Sequence, residues 1–107
     1  MNMEANSNPT CGSIDAGLKI IGDKWTGQIV RELSAGPQRF SHLEQKLGIG
    51  PRTLSQRLDS MELQAIISKR QFAEAPPRVE YSLTQKGEDL LPVLVSIADW
   101  SHKYPVA

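Results

Sequence analysis

The stretch between residues 40 and 70 constrains the fold most, because it indicates two short helices separated by a sharp turn. Ser41 and Glu44 have the spacing of a capping box, which satisfies free backbone N–H groups at a helix start. Gly48 follows the first helix, and glycine readily adopts the left-handed conformation that closes helices. Pro51 then suits the first position of a second helix, where its missing N–H is no loss. The stretch therefore predicts a helix-turn-helix that leads into a strand.

The second helix, predicted over residues 51–61, has two different faces. Leu54, Leu58 and Met61 gather on one side at about 100° per residue and predict a buried face. The opposite side is predicted to carry two guanidiniums, an amide and a hydroxyl, from Arg52, Arg57, Gln56 and Thr53. Such groups bind DNA phosphates and the base edges of the major groove. An ordinary solvated helix is the alternative, and this stretch alone favours neither reading.

The next segment predicts a β-hairpin behind the helix-turn-helix. Residues 66–72 read as a strand, and residues 73–77 as a loop whose prolines cannot donate ladder hydrogen bonds. Apolar residues then alternate with polar ones over residues 79–83, which is typical of a half-buried strand. Arg78 is expected at the hairpin tip, where it can lie along phosphates or enter the minor groove. A helix-turn-helix followed by such a hairpin predicts a winged helix-turn-helix, a mainly helical fold with a small β-hairpin.

The charge of the chain is concentrated on this predicted reading unit. Lys and Arg total 12, as do Asp and Glu, so the net charge is zero, which argues against a bulk, non-specific nucleic-acid binder. Residues 38–70 nevertheless contain six Lys and Arg against three Asp and Glu. The segments before and after them are net negative. This distribution favours docking of one face on a specific site.

The remaining helices are predicted to flank this unit. Residues 1–12 read as a flexible arm, and residues 13–107 as one domain that begins with a helix capped by Ser13. Asp23 is expected to cap the next helix. Apolar residues at helical spacing predict a core stripe in each of these two helices: Ile14, Leu18 and Ile21 in the first, and Trp25, Ile29, Val30 and Leu33 in the second.

The last helix, predicted over residues 84–104 with Thr84 as its cap, is apolar most of the way round. Such a helix must be buried on more than one side, and in a chain this small a second subunit is the natural cover. Pro92 is expected to kink it. The predicted dimer interface consists of Leu18, Ile21, Leu91, Leu94, Ile97 and Trp100.

Composition excludes several classes of protein. The chain has 107 residues and one cysteine, Cys11, so it predicts a single small domain without an internal disulfide. It has no apolar run of membrane-spanning length, and its first residues lack the pattern of a secretory signal, so a cytoplasmic location is expected. No catalytic set of side chains or phosphate loop is visible, and His42 and His102 lack partner cysteines. We therefore expect no enzyme activity, no metal and no cofactor.

These residues resemble the HxlR family of bacterial winged helix-turn-helix transcription regulators. The matching blocks are residues 22–33, 36–67 and 76–94, and the sequence Pro-Pro-Arg-Val-Glu-Tyr-Ser-Leu-Thr is the most specific of them. The resemblance implies a homodimer joined through its first and last helices, with two recognition helices on a pseudo-palindromic operator. A subset of the family uses a single N-terminal cysteine to sense oxidants or electrophiles. Cys11 has the position of that cysteine, so the resemblance implies the same role for it. Ala65 departs from the family, which usually has glycine there, and predicts a strained turn.

The sequence therefore predicts a transcription regulator that binds double-stranded DNA as a homodimer, with no membrane partner. The alternative is a winged-helix module that binds another protein and no DNA. A protein-binding face would be apolar, whereas the predicted outer face of residues 51–57 is basic and polar. The predicted DNA contacts come from Pro51, Arg52, Thr53, Ser55, Gln56, Arg57, Lys69 and Arg78.

Overall fold

The computed structural model describes the backbone of residues 11–105 and the side chains of residues 12–105. The predicted arm, residues 1–12, therefore lies almost wholly outside the described residues. The elements are α1 (Cys11–Ile21), α2 (Thr26–Leu33), β1 (Gln38–Arg39), α3 (Phe40–Leu47), α4 (Pro51–Leu63), β2 (Ile67–Phe72), β3 (Arg78–Leu83), α5 (Gln85–Glu88) and α6 (Leu90–Lys103).

The three strands form one antiparallel sheet in the order β1–β3–β2. Along the hairpin, Ile67 lies opposite Leu83 and Phe72 lies opposite Arg78. On the other edge of β3, Gln38 lies opposite Tyr81. The helix pair α3–α4 is thus followed by a hairpin, and the predicted winged helix-turn-helix is confirmed.

The core forms where the helix-turn-helix meets α2 and the start of the β2–β3 hairpin, which is the wing of this fold. Each of these segments contributes apolar side chains at the spacing that the sequence predicted, with periods near 3.6 in the helices. Trp25, predicted to be buried, is only partly so. The fully buried apolar residues are Ile29, Val30, Leu33, Leu43, Ile49, Leu54, Leu58, Met61, Ile66 and Ile67.

Several predicted helix ends are confirmed. Asp23 Oδ1 accepts hydrogen bonds from the backbone N–H groups of Trp25 and Thr26, each at 2.8 Å. Gly48 closes α3 in the left-handed conformation, with φ 65°, and Pro51 opens α4. These signals are local in sequence, which is why they could be read without the structure.

Other predicted ends are wrong. The Ser41–Glu44 capping box does not form, because α3 begins at Phe40 with no side-chain cap hydrogen bond. The first helix begins at Cys11, two residues before the expected cap at Ser13.

The predicted helix over residues 84–104 is two helices. Thr84 does cap the first, since its Oγ1 accepts a hydrogen bond from the N–H of Gly87 at 3.1 Å. The helix is then interrupted at Asp89, and α6 begins at Leu90. Pro92 therefore lies in the first turn of α6, where an N–H has no intrahelical partner, and not in the helix interior as predicted.

The turn between α4 and β2 is tightly held by α5. Ala65 has φ 59°, the left-handed region in which a side chain is strained, as predicted. The hydroxyl oxygen of Thr84 lies 2.6 Å from the carbonyl oxygen of Ala65 and 3.0 Å from that of Ile66, and its single hydrogen is shared between these two acceptors. Gly87 is buried against the same turn, with no room for a Cβ beside the carbonyl oxygen of Ile66. The junction between α4, the predicted recognition helix, and the β2–β3 hairpin is thus held by contacts to its backbone carbonyl oxygens.

Candidate nucleic-acid interface

The outer face of α4 presents unpaired hydrogen-bond donors and acceptors. Leu54 and Leu58 are fully buried, so this side of the helix faces the core and the opposite side faces solvent. Within the part of the chain that the structure describes, the outward side chains form no hydrogen bond or ion pair, so they are free to contact a ligand. These exposed residues are Arg52, Thr53, Ser55 and Gln56.

The electrostatics of α4 favour an anionic partner at its N-terminal end. The first turn contains Arg52 and no acidic residue, and the helix dipole adds partial positive charge there. The acidic residues Asp59 and Glu62 lie further along, near the sheet. Burial raises the pKa of Tyr81 above its usual range, and the charges of these two carboxylates raise it further.

Arg57 does not lie on the outer face of α4, where it was predicted. Its side chain is half-buried, and Nη1 lies 3.6 Å from Oδ2 of Asp23. At about 100° per residue, Arg57 lies roughly 70° from the centre of the buried face, and so on its flank. Arg57 therefore borders the core and points toward the turn that precedes α2. Its contact with DNA stays a prediction.

Asp23, which the sequence indicated only as a helix cap, is the partner of Arg57. The hydroxyl of Thr26 donates to Oδ2 of Asp23, in addition to the two backbone N–H groups on Oδ1. Partial burial acts to raise the pKa of Asp23, but the hydrogen bonds from Thr26 and Trp25 and the charge of Arg57 hold it below its usual value. No local pattern could have revealed this pairing, because 34 residues separate the partners in sequence.

Arg78 was predicted to lie at the hairpin tip. It is instead the first residue of β3. Its Nη2 lies 3.0 Å from Oε2 of Glu74, and its Nε lies 3.6 Å from Oε2 of Glu80. The guanidinium also stacks over the ring of Phe72, 4.1 Å from the centroid. These contacts hold Arg78 within the wing. A contact with DNA would require its release from two carboxylates.

Two other basic side chains of the wing are more accessible. Lys69, a predicted contact, is exposed on β2 opposite Tyr81. Arg70 is exposed too, with its guanidinium 4.8 Å from the centroid of the Phe72 ring. The alternation along the strand places Arg70 on the same face as Phe72.

Helices α1 and α6 expose a large apolar surface on the single chain. The apolar stripe of α1 was predicted to be buried in the core. In the single chain this prediction is wrong, because Leu18 is 55% exposed. No residue of α6 is buried, and Trp100 is 65% exposed. Of the predicted interface, Leu18, Ile97 and Trp100 are exposed, whereas Ile21, Leu91 and Leu94 are half-buried. Further exposed apolar residues, absent from the prediction, are Ile14, Val93, Val95 and Tyr104.

A groove of about 490 Å³ lies between α2 and α6 and adjoins this surface. Its floor is apolar and includes Ile21, Leu94 and Val95, while Lys24 lines it from the turn before α2 and Arg31 lines it from α2. The apolar surface therefore continues from the exposed side of α6 to the end of α1.

The remaining predicted features give little further chemistry. The side chain of Cys11 lies outside the described residues. His42 Nε2 lies 3.2 Å from Oε2 of Glu32, an exposed contact between α3 and α2. Among the residues described, no group of three or more His, Cys, Asp or Glu side chains could hold a metal ion. None of the described helices has the length and apolar character needed to cross a membrane.

Comparison with known proteins gives the chain a family. A model of the HxlR-like helix-turn-helix family matches residues 20–106. The chain is 36% identical over 100 residues to the HTH-type transcriptional regulator YvaP of Bacillus subtilis strain 168, covering 92% of this chain and 93% of that protein.

Two solved structures are similar to the fold described above. One is the reduced form of the transcriptional regulator YodB from B. subtilis, with a TM-score of 0.83 and 28% identity over 91% of this chain and 96% of that one. The other is the redox regulator HypR in its oxidized form, with a TM-score of 0.78 and 28% identity over 88% of this chain and 98% of that one. The chain belongs to the HxlR-like helix-turn-helix family, whose members matched here are transcriptional regulators and not enzymes.

Proposed function

We propose that this regulator acts in the cytoplasm by binding a pseudo-palindromic DNA operator as a homodimer. The observation that carries the proposal is the exposed polar face at the N-terminal end of α4, whose side chains have no partner among the described residues and whose opposite side is buried in the core. Guanidinium, hydroxyl and amide groups in this position fit phosphates and base edges of the major groove. Lys69 on the wing would add a phosphate contact beside it.

The apolar surface of α1 and α6 supports the dimer. A monomer rarely leaves so many large apolar side chains in water, and a two-fold axis would bury the same surface on both protomers. Two α4 helices could then meet successive major grooves about 34 Å apart. This arrangement explains why α6 is apolar most of the way round although no residue of it is buried in one chain.

A protein-binding module without DNA-binding activity has less support. Its recognition face would be apolar, because protein interfaces bury aromatic and aliphatic side chains at their centre. The exposed residues at the start of α4 are polar or charged instead. The family model and its regulator relatives favour DNA as well.

Arg52→Ala tests the proposed DNA face. Arg52 is exposed and unpaired, so we expect its loss to weaken binding to all DNA sequences alike and to lower the slope of log K against log salt by about one. Thr53→Ala should instead relax one operator position, at a loss of about 1–3 kcal/mol. The measurement is fluorescence anisotropy with operator and scrambled DNA across a range of salt.

Arg31→Ala is the matched control for Arg52→Ala. Arg31 is an exposed arginine of α2 that lines the groove beside α6, away from the proposed face. We expect its replacement to leave the salt slope unchanged. Equal slopes for wild type, Arg31→Ala and Arg52→Ala would remove Arg52 from the DNA interface.

We further infer that oxidants or electrophiles act through Cys11. The support is the similarity to YodB in its reduced form and to the redox regulator HypR, and the position of Cys11 at the start of α1. The chain has one cysteine, so a disulfide must join two subunits or a subunit and a small thiol. Either product, or a covalent adduct, could change the distance between the two recognition helices.

Treatment of the purified protein with diamide or a quinone tests this inference. We expect operator affinity to change by about tenfold, which corresponds to about 1.4 kcal/mol of coupling. Cys11→Ser should bind the operator and not respond, because the serine hydroxyl cannot form these products. An identical response of both proteins would show that Cys11 is a bystander.

A further inference from the structure

We propose that Arg57 is a positioning residue, which ties the recognition helix α4 to the turn before α2 through Asp23, and that it is not itself a DNA contact. The proposal rests on the proposed DNA-binding function and deepens it. It assigns the two arginines of α4 different tasks, since Arg52 is exposed with no partner in the part of the chain that the structure describes, whereas Arg57 is half-buried and paired.

The geometry around Asp23 supports this role. Its carboxylate accepts hydrogen bonds from two backbone N–H groups and from the hydroxyl of Thr26, so it is fixed before Arg57 approaches. A carboxylate that is already ordered loses less conformational entropy on forming an ion pair than a free surface side chain does. The guanidinium of Arg57 lies 3.6 Å from this carboxylate, on the flank of α4 that borders the core.

The core alone does not fix the rotation of α4 as tightly as base recognition requires. Leu54, Leu58 and Met61 hold the depth of the helix through apolar contacts, which are non-directional. A roll of about 10° around the helix axis moves side-chain atoms about 6 Å from that axis by roughly 1 Å. Such a shift is enough to disturb hydrogen bonds from Thr53 and Gln56 to base edges. The ion pair on the flank resists this roll, because it joins α4 to a separate element.

The competing assignment makes Arg57 a phosphate contact. The two assignments predict opposite effects of removing the charge of Asp23. If Arg57 binds phosphate, Asp23 competes with the DNA for the guanidinium, and loss of its charge strengthens binding. If Arg57 positions α4, loss of that charge loosens the helix and weakens binding.

Asp23→Asn separates these outcomes, because an asparagine oxygen still accepts the N–H groups of Trp25 and Thr26 while the charge is gone. The partner variant is Arg57→Gln, which removes the guanidinium, and the pair is completed by the double variant. We expect each single variant to lower operator affinity about fivefold, and the double variant to lose much less than the product of the two. The salt slope should remain that of wild type, whereas Arg52→Ala lowers it by about one.

Tighter or unchanged operator binding by Asp23→Asn would overturn the proposal, as would a salt slope lowered by about one in Arg57→Gln. A second measurement needs no DNA. Amide hydrogen exchange along α4 should become faster to a similar degree in both single variants, and no further in the double variant. If wild type binds no DNA, the proposed function fails, and unchanged exchange in α4 would separately show that Arg57 does not position the helix.

Discussion

Leu94→Asp should destabilise the protomer itself by several kcal/mol, while Ile97→Asp should leave it folded and monomeric. Leu94 is half-buried and packs against the core, with its Cδ2 3.4 Å from the position that a Cβ on Gly27 would occupy. A carboxylate at this position would lose the apolar contacts of Leu94 and bring a charge into a half-buried site against the core, which costs several kcal/mol or drives partial unfolding. Thermal unfolding followed by circular dichroism measures this loss.

Ile97→Asp is the matched variant one turn along α6. Ile97 is 47% exposed on the single chain, so a charge there can stay hydrated in the monomer. In the proposed dimer the same charge would be buried against the partner subunit. We expect a wild-type circular dichroism spectrum and a monomer in analytical ultracentrifugation. A folded, dimeric Ile97→Asp protein that still binds its operator would contradict the proposed interface.

Gly87→Ala should lower the free energy of unfolding by about 2–3 kcal/mol, as overpacking of a rigid site does. The added Cβ would overlap the carbonyl oxygen of Ile66 and also meet Cδ2 of Leu83 at 3.1 Å. A leucine side chain can turn away, but the backbone of Ile66 is held by the hydrogen bond that Thr84 N–H donates to it at 3.0 Å. The measurement is chemical denaturation of the variant and of wild type.

Gly17→Ala provides the control, because it makes the same substitution in α1, where no described residue outside the helix's own backbone lies within 4 Å of the new Cβ. Alanine favours a helix over glycine by about 0.5–1 kcal/mol, so this variant should be more stable than wild type. Equal, small effects of both substitutions would show that α5 does not pack closely on the turn between α4 and β2.

The fold could be predicted where its signals are local. Gly48 and Pro51 mark the turn between α3 and α4 by backbone chemistry that needs no distant partner. The spacing of Leu54, Leu58 and Met61 likewise identified the buried face. The break at Asp89 was not predicted, because Thr84 marked a single helix start and Pro92 suggested a kink further along.

The candidate site was predictable in its exposed part and not in its paired part. Arg52, Thr53 and Gln56 follow from the helical spacing, because a residue opposite a buried face is exposed. The helical spacing already places Arg57 on the flank of the buried face, but its partner is set by packing across the fold, and the position of Arg78 is set by strand register. Asp23 reaches Arg57 across the fold, and the pairing of Phe72 with Arg78 takes that arginine away from the loop.

The strand order β1–β3–β2 has a consequence for how this regulator could respond to a signal. The segment before α3 and the segment after α4 both pair with β3, so one strand holds the two ends of the helix-turn-helix together. The recognition helix α4 and the β2–β3 hairpin must therefore rotate together as one rigid body. A signal received at α1 or α6 could change the angle between two such bodies without altering either one. In the proposed dimer it would change the preferred spacing between half-sites and leave the base preference within each half-site intact.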